Sequence, residues 1–306
     1  MDKGPSDKKS VLRDHRRQWR DCLYVYPVIS RRAQGLSIGV NLNPEKRCNF
    51  GCVYCQINRR VARGLTGVDL DRLGEELDLA LAEATSGRLW EEPRYASTPP
   101  ELRRINDIAF SGDGEPTCLA EFDTAVQIAA DAKDKHAADD VKIVIITNAT
   151  KLDSPQFSRA LPALKRSNGE IWAKLDAGTE EHFRAVNRPA GGVTLDRIVS
   201  NIAGVATQMP VVIQTLFFRL DGRQPDAEEI SAYIGRIRRI LDSGGSIKLI
   251  QLHTIARSPA EAVARALPNE QLDEIAEIIR NSVPEVPLAV YYGQDVPPQS
   301  GTESDA

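Results

Sequence analysis

The chain has 306 residues, of which 42% are apolar and 27% charged, and a formal net charge of −4. A chain of this length buries about three quarters of its unfolded surface, enough for one large core or one barrel. The charge excludes a globally basic nucleic-acid binder, and no apolar run approaches the roughly 18 residues of a membrane span. Residues 1–5 lack the apolar stretch of a secretory signal. Five cysteines, three of them crowded, suit a reducing interior better than a disulfide framework. A cytoplasmic location is expected.

In chain order, residues 1–25 read as a basic, flexible arm carrying Lys8, Lys9, Arg13, Arg16, Arg17 and Arg20. Together with Arg31, Arg32, Arg59, Arg60 and Arg63, these form either phosphate-contacting clusters or a solvated basic face. A first strand covers residues 37–42, with Pro44 ending it. From Val68 an amphipathic helix places Leu70, Leu73, Leu77, Leu81 and Ala84 on one face and stops at Gly87. Residues 88–104, with Pro93, Pro99 and Pro100, read as an inserted loop. A second strand at 105–110 runs into Ser111-Gly112-Asp113-Gly114-Glu115, and the helix after it buries Phe122, Val126 and Ala129.

Residues 141–147 are nearly continuously apolar, the pattern of a strand covered on both faces. Ser154 caps a helix with Pro155 in its first turn, closed by Asn168-Gly169. A fourth strand at 170–175 precedes a short helix begun by Thr179 and another marked by Leu195, Ile198, Val199 and Ile202. A fifth strand spans 211–218. A helix with Ile230, Ile234, Ile237 and Leu241 on one stripe leads to a sixth strand at 247–252. A last helix at 269–279 and a terminal strand at 287–292 complete the series. The polar tail, 294–306, reads as disordered. Six strands alternating with helices argue for an α/β fold of βα units with a parallel sheet, one domain over 26–293.

The chemistry concentrates in Cys48-Asn49-Phe50-Gly51-Cys52-Val53-Tyr54-Cys55. Three thiolates in one tight loop converge on a soft metal centre, for which zinc and iron–sulfur clusters are the usual tenants. A closed zinc site wants four ligands, and this loop supplies three. Because ligands in parallel α/β folds bind at the C-terminal ends of strands, the same mouth should hold the glycine turn, Asn148, Asp176, Arg219 and His253. Gly112 and Gly114 let backbone approach a ligand closely. Asn148 and Asp176 are either ligand contacts or turn residues. His253 either handles substrate, as a candidate catalytic residue, or merely ends its strand. Arg257 suits an anionic substrate, and Lys174 is expected to face outward. Cys118, at a helix start where a thiol pKa tends to fall, and the isolated Cys22 read as buried or idle thiols.

The C-x3-C-x2-C pattern with Tyr54 before its last cysteine resembles the radical S-adenosylmethionine (radical SAM) enzymes. The resemblance implies a partial (β/α)6 barrel, with Cys48, Cys52 and Cys55 holding a 4Fe–4S cluster whose fourth iron is chelated by S-adenosylmethionine. One electron from the reduced cluster then yields a 5′-deoxyadenosyl radical that takes a hydrogen atom from substrate. By the same resemblance Tyr54 sits against the adenine. Gly112, Asp113, Gly114 and Glu115 correspond to the segment that binds the methionine amino group, with Asp113 a departure from the simplest form. Asn148 and Asp176 stand where the family contacts the ribose or the carboxylate. A one-electron donor such as flavodoxin or ferredoxin is implied as a partner.

Asn43-Pro44, residues 110–117, Leu175-Asp176-Ala177-Gly178, Asn187-Arg188-Pro189 and residues 251–259 look like the wybutosine-synthesis-related branch. That branch acts on a tRNA base and uses a second cluster held by additional N-terminal cysteines. Here only Cys22 precedes the triplet, so 4-demethylwyosine synthesis is not expected. RNA-base modification is the first expectation. The alternatives are a glycyl-radical-type activase, a small-metabolite radical enzyme, or a non-catalytic cluster or zinc module.

Overall fold

Alternation along the strands decides the architecture. In the computed structural model, which describes residues 18–30, 34–57, 67–257, 259 and 261–293, every second residue of the central strands packs under the helices. Ile108, Ile143, Ile145, Ile171, Ile213 and Ile250 belong to that outer layer. The other set, Ala109, Val144, Trp172 and Val212, packs together on the inner face. A sheet apolar on both faces is stable only when both are covered, here by helices outside and by the sheet's own curvature inside.

The strands are β1 (Val25–Ser30), β2 (Gly35–Val40), β3 (Ile105–Phe110), β4 (Lys142–Thr147), β5 (Glu170–Lys174), β6 (Val211–Leu216), β7 (Phe218–Leu220), β8 (Ile247–His253), β9 (Ala264–Ala266) and β10 (Leu288–Tyr291). Eight of them form one sheet in the order β1-β2-β3-β4-β5-β6-β8-β10. All neighbours are parallel except β1, which runs antiparallel to β2. The helices are α1 (Leu70–Thr85), α2 (Phe122–Lys135), α3 (Pro155–Arg166), α4 (Glu180–Asn187), α5 (Leu195–Ala206), α6 (Ala227–Asp242) and α7 (Asn269–Ser282). The six parallel strands from β2 to β8 are the expected βα units, and the sheet is that of a partial barrel.

Four features depart from expectation. Strand β1 lies where the arm was expected to end. Pro27 disguises it, but β1 is an edge strand, where a proline's missing N–H breaks no ladder. Its entry is held by the buried Glu76 of α1, whose carboxylate accepts the N–H groups of Leu23, Tyr24 and Val25 at 2.8, 2.8 and 3.0 Å. Residues 88–104 form two short 3-10 turns rather than a free loop, and Tyr95 is buried there with its hydroxyl donating to the Pro27 carbonyl at 2.8 Å. The fifth strand breaks after Leu216, because Asp176 Oδ1 takes the Leu216 N–H at 2.9 Å in place of a ladder partner. The chain then leaves the sheet as β7 and pairs antiparallel with β9, two three-residue strands too short to show in a periodicity.

Residues 1–17 of the expected arm, Arg31, Arg32, Arg59, Arg60, Arg63 and the tail 294–306 lie outside the described residues. The end of the arm is packed: Trp19 is buried, its Nε1 donates to Glu92 at 3.0 Å, and Arg20 reaches Glu83 at 2.6 Å. Among the described residues, no helix is long and apolar enough to cross a membrane.

Candidate active site at the mouth of the barrel

The cysteine loop leaves β2 and is tied down at two places. On one side the Asn49 amide donates to Thr150 Oγ1 and accepts from Asn148 Nδ2, both at 2.7 Å, just past the end of β4. On the other it pairs like a short antiparallel strand with the exit of α4. Val53 N donates to Val186 O at 2.9 Å, Gly51 N to the carbonyls of Asn187 and Arg188 at 3.1 Å, and Ala190 N to Asn49 O at 2.9 Å. This pairing satisfies loop backbone that burial would otherwise leave orphaned.

Cys48, Cys52 and Cys55 then line one cavity of about 780 Å³ with Tyr54, Gly112, Gly114, Glu115, Asn148, Asp176 and His253. That size is ordinary for a cofactor or substrate site.

Asp113, predicted at the site, does not face this cavity. It is turned into Asn41, whose Nδ2 donates to Asp113 Oδ2 at 3.2 Å and whose Oδ1 accepts the Asp113 N–H at 3.1 Å. The two glycines serve the same packing. A Cβ at Gly112 would come within 2.3 Å of Asn41 Oδ1, and one at Gly114 within 2.0 Å of the Arg47 carbonyl. Close approach of the two loops, rather than of a ligand alone, excludes side chains here.

Asn148 and Asp176 both serve the scaffold while lining the cavity. Asp176 Oδ2 accepts from the Tyr54 hydroxyl at 2.5 Å and from Asn187 Nδ2 at 3.0 Å. Lys174 points inward, contrary to expectation, with Nζ 3.4 Å from the Tyr54 hydroxyl and 4.9 Å from its ring centroid. His253 stacks on Tyr291, the ring centroids 4.6 Å apart. Arg219 is absent from the mouth, because β7 carries it away to donate to Gln271 at 3.1 Å. Arg257 lies exposed at the rim beside Gln56.

Electrostatics separate the groups. Burial, reinforced by Asp176, pushes the Cys52 thiol up to about 11, so a thiolate there needs a bound cation. Burial likewise pushes the half-buried Cys22 thiol up to about 11, whereas Cys118 lies exposed at the end of a 3-10 turn rather than at a helix start. Glu115, 2% exposed, is raised by burial against the opposing pull of its hydrogen bonds. Its Oε1 accepts from the Thr117 and Thr147 hydroxyls at 2.5 and 2.6 Å, and its Oε2 from Asn148 N at 2.7 Å.

The sequence pattern of the radical SAM superfamily matches residues 42–228, which is more than half of the chain. The chain belongs to the radical SAM superfamily. A UPF0026 protein of Methanocaldococcus jannaschii is 28% identical over 58% of this chain and 47% of its own length. A radical SAM methyltransferase from Sphaerobacter thermophilus superposes with a TM-score of 0.60 at 14% identity, covering 88% of this chain and 69% of that one. A structure of TYW1 with a lysine-pyruvate adduct bound superposes at 0.52 and 13% identity, covering 81% and 74%. At those identities the likeness to solved structures is one of fold. The chain spans about a third to just over half of the length of the curated relatives it matches. Membership brings a 4Fe–4S cluster and S-adenosylmethionine as cofactors.

The residues present fit such a pair. Among the described residues no three Cys, His, Asp or Glu side chains are gathered for a single metal ion, while the three thiols line one cavity. The sulfurs also carry N–H donors, from Phe50 N to Cys48 Sγ at 3.4 Å and from Asn187 Nδ2 to Cys52 Sγ at 3.6 Å, the kind of contact that tunes cluster ligands. On the same wall, Asn187 Oδ1 is a buried acceptor with no hydrogen-bond partner among the described residues. Asn187 stands in the Asn187-Arg188-Pro189 stretch, where nothing local in the sequence assigns it a role.

Proposed function

We propose that this chain is a radical SAM enzyme in which Cys48, Cys52 and Cys55 hold the cluster, and that its substrate is a base in RNA. The observation that carries the enzymatic reading is the convergence of those thiols with Tyr54, Glu115 and Asp176 on one cavity, reached from the ends of different strands. When bound, the cluster and cofactor supply a 5′-deoxyadenosyl radical for hydrogen abstraction. The protein's part is to hold and shield. Glu115 presents a buried carboxylate, with Oε2 accepting only one N–H among the described residues, to the ammonium of the methionine moiety. The Tyr54 ring, fixed by its hydroxyl on Asp176, offers a flat face to the adenine. Beyond them, Lys174 and the stacked His253–Tyr291 pair line the same cavity and suit an anionic, planar substrate such as a nucleotide. A flavodoxin or ferredoxin would deliver the electron.

Anaerobic reconstitution with iron and sulfide, followed by reduction with S-adenosylmethionine, tests the chemistry. Methionine and 5′-deoxyadenosine are expected, and Cys52→Ala should abolish both along with most of the bound iron. A chain that takes up zinc instead and yields neither product is not this enzyme. The RNA reading is tested by binding to bulk tRNA at 50 and 200 mM salt. Contacts to several phosphates predict a steep loss of affinity, and a flat or absent response removes RNA in favour of a small-molecule or protein substrate.

A further inference from the structure

Helix α4 ends at Asn187, and Arg188 beyond it takes a left-handed conformation at φ 44°. That turn, with the antiparallel pairing to the cysteine loop, drives the Asn187 side chain inward, where it is 3% exposed. Three acceptors surround its nitrogen: Asp176 Oδ2 at 3.0 Å, the Tyr54 hydroxyl oxygen at 3.3 Å and Cys52 Sγ at 3.6 Å. Tyr54 spends its own proton on Asp176, so all three are acceptors and the amide has one sensible orientation. The opposite atom, Oδ1, is therefore fixed as an acceptor with no hydrogen-bond partner among the described residues, and Asn187 lines the cavity. Folded proteins rarely bury such an atom unless something else completes it.

Resting on the reading above, we infer that Asn187 is a two-sided cofactor residue. Its Oδ1 accepts a hydrogen bond from a hydroxyl or amine of S-adenosylmethionine, while its Nδ2 donates to the Cys52 sulfur and sets the potential of the cluster. S-Adenosylmethionine carries such donors on both its halves, the ribose hydroxyls and adenine amine on one and the ammonium on the other. An N–H bond to a ligating sulfur stabilises the more negative, reduced cluster. One side chain thus contacts the cofactor with one atom and the electron-donating cluster's ligand with the other.

The test uses the full chain, reconstituted anaerobically, as wild type, Asn187→Ala and Asn187→Leu. The leucine variant keeps most of the side-chain volume. Iron and sulfide content, affinity for S-adenosylmethionine and for 5′-deoxyadenosine, and the midpoint potential followed by electron paramagnetic resonance are compared. Both variants should hold a full cluster, because the loop is paired through backbone atoms that the substitutions leave in place. They should bind S-adenosylmethionine about tenfold more weakly and show a more negative potential. If the nucleoside half is the donor, 5′-deoxyadenosine weakens in parallel. If the ammonium is the donor, 5′-deoxyadenosine is unaffected. Wild-type affinity and potential in a fully loaded variant overturn the inference, as does loss of the cluster from both variants, which would make Asn187 a purely structural residue. A wild-type chain that takes up no iron sinks the enzymatic reading itself, before any variant is compared.

Discussion

Two buried glutamates, one at each end of the barrel, show how this fold divides its labour. Glu170 begins β5 at the closed end. Its Oε1 accepts from Lys142 and Lys248, both at 2.7 Å, and its Oε2 from Trp172 Nε1 at 2.9 Å. Those partners hold its carboxyl down at about 2, against the desolvation that would raise it. Glu115 stands at the open end, more deeply buried, and every group among the described residues that bonds to it is neutral. Its pKa moves the other way. The same residue type is charge-compensated at the closed end and, among the described residues, bonded only to neutral groups at the open end, where the proposed reading puts the cofactor's ammonium.

The largest effect should come from removing the uncompensated carboxylate. Glu115→Gln is expected to weaken S-adenosylmethionine binding by about 10- to 100-fold, the worth of a hydrogen bond to a charged group, with iron content unchanged. In equilibrium dialysis, wild-type affinity in that variant would break the comparison. Glu170→Gln should do the opposite, leaving cofactor affinity alone and lowering stability to denaturant by about 1–2 kcal/mol. That figure sits below the usual cost of breaking a buried pair, because Lys142 and Lys248 are 41% and 54% exposed and rehydrate.

The pH dependences follow with opposite sign. Glu170 has a depressed folded pKa, so its contribution is present above the ordinary value of 4.5 and is lost as pH falls toward about 2. Glu115 has a raised folded pKa, so the stability it contributes to the cofactor-free chain is present below 4.5 and is lost as pH rises through the folded value. A cation bound at Glu115 reverses that burden, so S-adenosylmethionine affinity should increase with pH across the same interval, and Glu115→Gln should flatten the curve. Denaturation midpoints and binding isotherms collected between pH 3 and 8 check both slopes, those at the acid end against the Glu170→Gln variant.

What could be read in advance follows the same division. The six parallel strands, the cysteine triplet and the glycine turn are local in sequence, and each was legible from spacing or periodicity alone. The reasons behind them were less so. Gly112 and Gly114 are small because Asn41 and the Arg47 carbonyl press on them, and that pressure appears only once β2 and β3 lie side by side. Asp113 looked like a site residue by position, but Asn41 claims it. Asn187 reaches Cys52 across 135 residues, a pairing that no window along the chain contains. Lys174 was expected to face outward because exposure is the common fate of lysine, and the strand's phase, visible from Trp172 on the inner face, was the better guide.

The smallest effect is expected at the rim, where Arg188 makes a bidentate pair with Glu261 at 2.6 and 3.0 Å. Both side chains are substantially exposed, 49% and 39%, so this pair is worth at most about 1 kcal/mol, unlike the one on Glu170. Arg188 also carries the cost of a left-handed backbone, φ 44°, which glycine would relieve by about 0.5–1 kcal/mol. Arg188→Ala forfeits the pair without that relief and should cost about 0.5–1 kcal/mol. Arg188→Gly loses one term and gains the other, and should fall within about 0.5 kcal/mol of wild type. Neither should alter cluster content, because the bond from Gly51 N goes to the Arg188 carbonyl. Should Arg188→Gly prove much less stable than Arg188→Ala, the rim pair would matter far more than its exposure allows, and charge pairing would no longer separate the closed end of the barrel from the open one.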